Sequence, residues 1–168
     1  MEIPPWPLQA QWSPDGRYVA FITTDSLERP FRRTWLVILD METGGRRMLS
    51  PGPDIEPGRH SVHDIAWAAN AQQLVALALT EIVQGRPIQK LYLIDARTGD
   101  SQQVMPDYVF GGGAIEGWQL AWSPDGQTLA VKCPAWLETE PTIVEDRVCV
   151  LSVAYESQGK AHNARQTL

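Results

Sequence analysis

Asp15 and Asp125 each stand in the run Trp-Ser-Pro-Asp-Gly, where a carboxylate two residues after a serine hydroxyl could move protons or could tie a turn. His60, His63 and Asp64, with Asp54 and Glu56 nearby, carry the nitrogen and oxygen ligands that a divalent cation takes. The run Gly-Gly-Gly-Ala-Ile-Glu-Gly at 111–117 has the glycine content of a phosphate cradle. Each candidate meets a plainer reading. His63 and Asp64 are neighbours at the entry to an extended run, so their side chains face opposite ways and the group reads as solvated loop residues. The glycine run leads into Trp-Gln-Leu-Ala-Trp, a strand, and lacks the helix start whose amides hold phosphate. Gly-x-Ser-x-Gly, His-Glu-x-x-His and Cys-x-x-Cys do not occur. The chain is expected to be no enzyme and to use no metal and no cofactor.

The elements that position these residues are repeated. Trp12, Trp67 and Trp122 recur at an interval of 55 residues, and a fixed period of this length marks a repeat architecture. After each Trp come a turn segment, an apolar run (YVAFITT, LVALALT, TLAVKC), a variable segment and a second apolar run (TWLVILD, KLYLID, RVCVLSV). The first two units continue through Thr-Gly turns into the short polar strands RRMLS and SQQVM. None of these runs has helical spacing. The expected fold is all-β, three four-stranded antiparallel blades of a β-propeller, with essentially no helix. Blade one is placed at about 8–50, blade two at 63–105 and blade three at 117–153, with a polar tail over 154–168 that offers no fourth strand. The extended N-terminal MEIPPWP is one candidate to complete blade three.

The repeat also decides between chemistry and turn for the aspartates. Ser13, Pro14, Asp15 and Gly16, like Ser123, Pro124, Asp125 and Gly126, suit a type I turn closed by a glycine at positive φ. Unit two has Ala68, Ala69, Asn70 and Ala71 at these positions and keeps both flanking strands, so the motif is read as structural. A left-handed Ala71 would cost about 1–2 kcal/mol, and this turn is expected to relax into another geometry.

Trp12 to Gly16, Asp40 to Gly44, Asp95 to Gly99 and Trp122 to Gly126 together closely resemble the TolB-type β-propeller repeat, a relative of WD repeats, over about residues 8–153. The resemblance implies propellers of six or more blades that act as protein-interaction or ligand-binding platforms, frequently in the bacterial envelope, and that also occur beside peptidase domains. Three blades cannot close a ring. Closure is expected from a second copy, giving six blades, or from a longer chain; the alternative is an open arc of three blades with exposed end faces.

Function is expected at the end of the blades that carries the long segments 24–33, 50–62, 80–89, 105–117 and 134–146, since long loops on a rigid scaffold carry binding. Phe31, Tyr108, Phe110 and Trp136 supply aromatic anchors there, and Arg32, Arg33 and Glu138 supply charge. The leading expectation is a non-catalytic platform for a protein or peptide partner, with a homo-oligomer completing the ring. The alternatives are the substrate-gating propeller of a longer peptidase or hydrolase, and a small-molecule or glycan binder. A formal net charge of −6 argues against nucleic acid, and no apolar run is long enough to span a membrane. The start lacks a signal peptide, which reads as cytoplasmic, or as envelope or periplasm for a piece of an exported protein. Cys133 and Cys149 are read as small core residues, although the strand pairing could make them neighbours.

Overall fold

The computed structural model describes residues 6–25, 33–50, 62–83, 86–104, 108–110, 120–133, 135–137, 147–152 and 165–167. Fourteen strands are present among the described residues: β1 (Trp6–Trp12), β2 (Tyr18–Thr24), β3 (Thr34–Asp40), β4 (Arg46–Leu49), β5 (Val62–Trp67), β6 (Gln73–Val83), β7 (Arg86–Asp95), β8 (Ser101–Val104), β9 (Tyr108–Phe110), β10 (Leu120–Trp122), β11 (Thr128–Cys133), β12 (Ala135–Leu137), β13 (Arg147–Ser152) and β14 (Arg165–Thr167). No helix occurs among the described residues, and none is long and apolar enough to cross a membrane. The protein is all-β and its strand pairs are antiparallel.

The strands form three sheets. The first runs β1-β2-β3-β4 and the third β10-β11-β13-β14. The second contains β5-β6-β7-β8 and two strands more, because β9 pairs with β7 at Gln89 and β12 pairs with β9. The expected four strands are thus exceeded. Segment 80–89, expected as a loop, is mostly hairpin: β6 and β7 stay in register to Val83↔Arg86, with a bulge between Leu79 and Glu81. Its residues Ile82 and Val83 are β-branched, which favours continuing the ladder.

The polar tail also differs from expectation. Arg165–Thr167 pair with Ser152–Val150 and supply the fourth strand of the third sheet. An edge strand needs backbone groups more than an apolar side-chain pattern, so a polar tripeptide serves. At the other terminus Trp6 and Pro7 belong to β1, paired with Thr24 and Thr23, so this part of MEIPPWP lies in the first sheet and not the third.

Two apolar layers separate the sheets. Ile22, Leu36, Ile38 and Leu49 of the first sheet meet Ile65, Trp67, Leu74 and Ile94 of the second. Val75, Leu77, Leu91 and Leu93 of the second meet Leu120, Leu129, Val131 and Leu151 of the third. The middle sheet is therefore buried on both faces: Leu74 to Ala78 of β6 are buried in succession, whereas burial alternates over the first residues of β2 and along β13. Cys149 is disulfide-bonded, and the one other cysteine of the chain is Cys133. This replaces the reading of two separate core thiols. The register explains it: β11 and β13 are adjacent, with Cys149 opposite Val131 and Cys133 opposite Arg147, a diagonal within reach of a disulfide.

Candidate functional site

The Ser-Pro-Asp-Gly turns use their aspartates internally. The Gly16 N–H donates to the Ser13 carbonyl at 2.9 Å, and Gly16 has φ +73°. Asp15 Oδ1 accepts from the Ser13 hydroxyl at 2.6 Å and from the Arg17 N–H at 3.0 Å. These donors hold the Asp15 carboxyl below the usual carboxylate range. Ser123 and Gln127 do the same for Asp125, and Gly126 has φ +70°. Pro14 and Pro124 are exposed at the turn tips.

The middle turn corrects the expectation for Ala71. It keeps the geometry of its neighbours: the Ala71 N–H donates to the Ala68 carbonyl at 3.0 Å and Ala71 stands at φ +58°. The ladder fixes both ends of the turn through Trp67↔Leu74, and Asn70 Oδ1 accepts from the N–H groups of Gln72 and Gln73, replacing the aspartate. Relaxing the turn would give up these bonds, so the left-handed alanine persists as local strain. Ala71→Gly should raise stability by about 0.5–1 kcal/mol, the relief of strain less the added chain entropy. A urea titration checks this, and a loss of stability would show that the turn is not strained.

The same end of the molecule carries a cleft of about 310 Å³ lined by Arg17, Tyr18, Ile38, Asp40, Thr43, Gly45, Arg46, Arg47 and Arg97. Arg17 lies 3.4 Å from both Asp40 and Glu42, and the Arg47 guanidinium donates to the carbonyls of Ala96 and Arg97, joining the first sheet to the second. Desolvation raises the Asp40 carboxyl, but the N–H groups of Thr43 and Glu42 with the Arg17 guanidinium outweigh it and leave it lowered. Loop length directed attention to the opposite end of the sheets. The signal for this cleft was in the repeat: Arg17, Arg46 and Arg47 become Gln72, Ser101 and Gln102 one unit on, and Arg97 stands where unit one has Glu42.

Between the sheets, Asp64 is buried and bridges all three. Its Oδ1 accepts from Gln9 Nε2 on β1 and from the Ile65 N–H, both at 2.8 Å, and its Oδ2 accepts from the Leu120 N–H of β10 at 2.7 Å. The solvated-loop reading of this residue is therefore wrong. A bulge between Val62 and Asp64 breaks the alternation on which that reading relied. Beside it runs a ladder of indoles: Trp67 Nε1 donates to the Gln11 carbonyl at 3.1 Å, and Trp122 Nε1 to the Ala66 carbonyl at 3.2 Å.

Of the expected partner-binding residues, Phe31, Arg32 and Glu138 lie outside the described residues, as do Asp54, Glu56, His60 and 111–117. Arg33 is exposed, and its carbonyl accepts from the Thr24 hydroxyl at 2.7 Å. Tyr108 and Phe110 lie on β9 and Trp136 on β12, strands paired as Tyr108↔Leu137, Val109↔Trp136 and Phe110↔Ala135. The structure thus pairs residues 108–110 with 135–137 as a short ladder, within segments expected as free loops. Backbone pairing between distant segments leaves no local pattern to read. No group of three metal-ligating side chains occurs among the described residues.

No family model matches the chain, and no curated protein matches it. Solved structures do. A Bacteroides ovatus protein described as a dipeptidyl aminopeptidase IV superposes with TM-score 0.58 at 14% identity, over 94% of this chain and 26% of that one. An acylaminoacyl peptidase of Pyrococcus horikoshii superposes with TM-score 0.55 at 12% identity, over 96% of this chain and 25% of that one. A puromycin hydrolase variant complexed with PGG superposes with TM-score 0.54 at 16% identity, over 85% of this chain and 20% of that one. The chain spans about a quarter of the length of the first two and a fifth of the third. The likeness is one of fold, all-β and propeller-like.

Proposed function

We propose that these residues are three blades of a β-propeller of the TolB-like kind, and that they form a non-catalytic part of a longer peptidase-type hydrolase, shaping access to a catalytic domain outside this chain. The observation that carries the reading is the superposition of 94% of the chain on a quarter of a dipeptidyl aminopeptidase IV-like protein. The chemistry of the chain agrees with it. The turn aspartates are used by their own turns, Asp64 is enclosed, and in the Arg17–Asp40 cleft the Asp40 carboxylate accepts from the Glu42 and Thr43 N–H groups and from Arg17. The disulfide at Cys149 suits an oxidising compartment such as the bacterial periplasm.

Two measurements test the proposal. The purified chain is expected to leave aminoacyl and acylaminoacyl anilides intact and to take no label from a fluorophosphonate probe; turnover or labelling would overturn the non-catalytic part. Sequencing the source transcript across both ends of the segment is expected to reveal an in-frame hydrolase domain. A frame confined to these residues would overturn the hydrolase reading and favour a free-standing interaction platform, for which the arginine-lined cleft supplies a binding surface.

A further inference from the structure

We propose that the cleft lined by Arg17, Arg46, Arg47 and Arg97 is a binding site for a phosphoryl group, carried by inorganic phosphate or by a small phosphate monoester. The cleft lies at the junction of the first and second sheets, within the chain's own stack and not on either of its end faces: Arg46 belongs to β4 of the first sheet, and Arg97 to the turn between β7 and β8 of the second. Charge is concentrated there against the trend of the molecule. The chain has a formal net charge of −6, yet among the described residues the four guanidinium groups of the cleft are balanced only by the carboxylates of Asp40 and Glu42, which leaves a local net charge of +2. A concave site of one charge sign focuses the field and draws in anions.

The four arginines do not share one task. Arg17 is held by Asp40 and Glu42, 3.4 Å from each. The Arg47 guanidinium donates to the carbonyls of Ala96 and Arg97, which fixes it across the junction without neutralising its charge. Arg46 and Arg97 are exposed, and their side chains make no hydrogen bond or ion pair among the described residues. The sheet itself does not require this set. One unit on, Arg17, Arg46 and Arg47 become Gln72, Ser101 and Gln102, and the ladder is kept: Gln73↔Asp95 and Ile94↔Ser101 match Tyr18↔Asp40 and Leu39↔Arg46. A basic cluster that the fold does not need, with two guanidinium groups unused, fits an anion from outside the chain. Its geometry selects the anion. Arg46 lines the cleft from one sheet and Arg97 from the other. A planar carboxylate offers its two oxygens along one direction, whereas a tetrahedral phosphoryl group offers oxygens to both walls, and its double charge matches the two unpaired guanidinium groups. The cleft volume of about 310 Å³ exceeds that of a phosphate ion and leaves room for an ester group.

Isothermal titration calorimetry of the oxidised chain in low-salt buffer is expected to show saturable one-to-one binding of inorganic phosphate and of glycerol phosphate. Tighter binding of glycerol phosphate would assign a monoester that uses the remaining volume, and equal affinities would assign free phosphate. Arg46→Gln and Arg97→Gln should each weaken binding by about tenfold or more, as the loss of a charge-assisted hydrogen bond does. Circular dichroism should be unchanged, since neither side chain has a partner among the described residues. Arg86→Gln, at the other end of β7, should keep the parent affinity. Absence of saturable binding by both anions, succinate binding as tightly as phosphate, an affinity indifferent to Arg46→Gln and Arg97→Gln, or an equal loss in Arg86→Gln would each overturn the proposal. None of these outcomes bears on the hydrolase reading, which the anilide and transcript measurements test.

Discussion

Asp64→Ala is expected to destabilise the protein by about 3–5 kcal/mol, because it strips acceptors from three donors in three different sheets. The Leu120 and Ile65 N–H groups and the Gln9 amide all point at this carboxylate, and each donor left unsatisfied in the interior costs about 1–3 kcal/mol. Alanine leaves too little polar surface for water to replace all three bonds. A urea titration of the variant reads the loss. A change below about 1 kcal/mol would mean that the sheets do not depend on this bridge. Asp64→Asn separates charge from connection. Burial pushes the Asp64 carboxyl up, against the three donors that pull it down. Its folded value lies above the unfolded value of 3.8, so its contribution is fully present below the unfolded value and is lost as pH rises through the folded one. The deficit of Asp64→Asn should therefore be larger near pH 4 than near pH 7. Asp15, Asp40 and Asp125 have lowered values and work in the opposite sense: their contribution is present above 3.8 and is lost as pH falls through their folded values.

Gly126→Val is expected to cost about 3 kcal/mol or more, clearly beyond Gly16→Val at about 1–2 kcal/mol. The two glycines have nearly the same φ, +70° and +73°, and both variants place a β-branched residue in the left-handed region. Their surroundings differ. A Cβ at Gly16 meets nothing within 4 Å, whereas one at Gly126 would come within 2.7 Å of the Ala69 Cβ and 3.4 Å of the Ala69 N. Gly126 is buried against the turn of the second sheet, so the side chain must push two sheets apart. Paired thermal melts of the two variants decide the matter. Equal losses would show that the third sheet does not rest on the Ala69 turn.

The repeat of Trp12, Trp67 and Trp122, the apolar runs after each, and the Ser-Pro-Asp-Gly turns are all local patterns, and they indicated β1 to β8, β10, β11 and β13 and the all-β class from sequence alone. Turn chemistry depends on four consecutive residues and the ladder beside them, which is why Gly16 and Gly126 could be assigned a positive φ without coordinates. Ala71 escaped the same reasoning because the strain of one residue is a local quantity, while the bonds that hold it belong to β5, β6 and Asn70 together. What only the tertiary structure decided are the relations between units. Nothing in the Val-His-Asp-Ile run indicates that Asp64 would gather donors from β1 and β10, because its partners lie 55 and 56 residues away in the chain. The pairing of β9 with β12, the fourth strand at Arg165–Thr167 and the arginine-lined cleft are likewise set by which backbones and side chains the stacking brings together. Periodicity reports how a strand divides its two faces; which neighbour covers each face is a property of the assembled sheets, and it separates a buried Trp67 from an exposed Trp12 of the same sequence context.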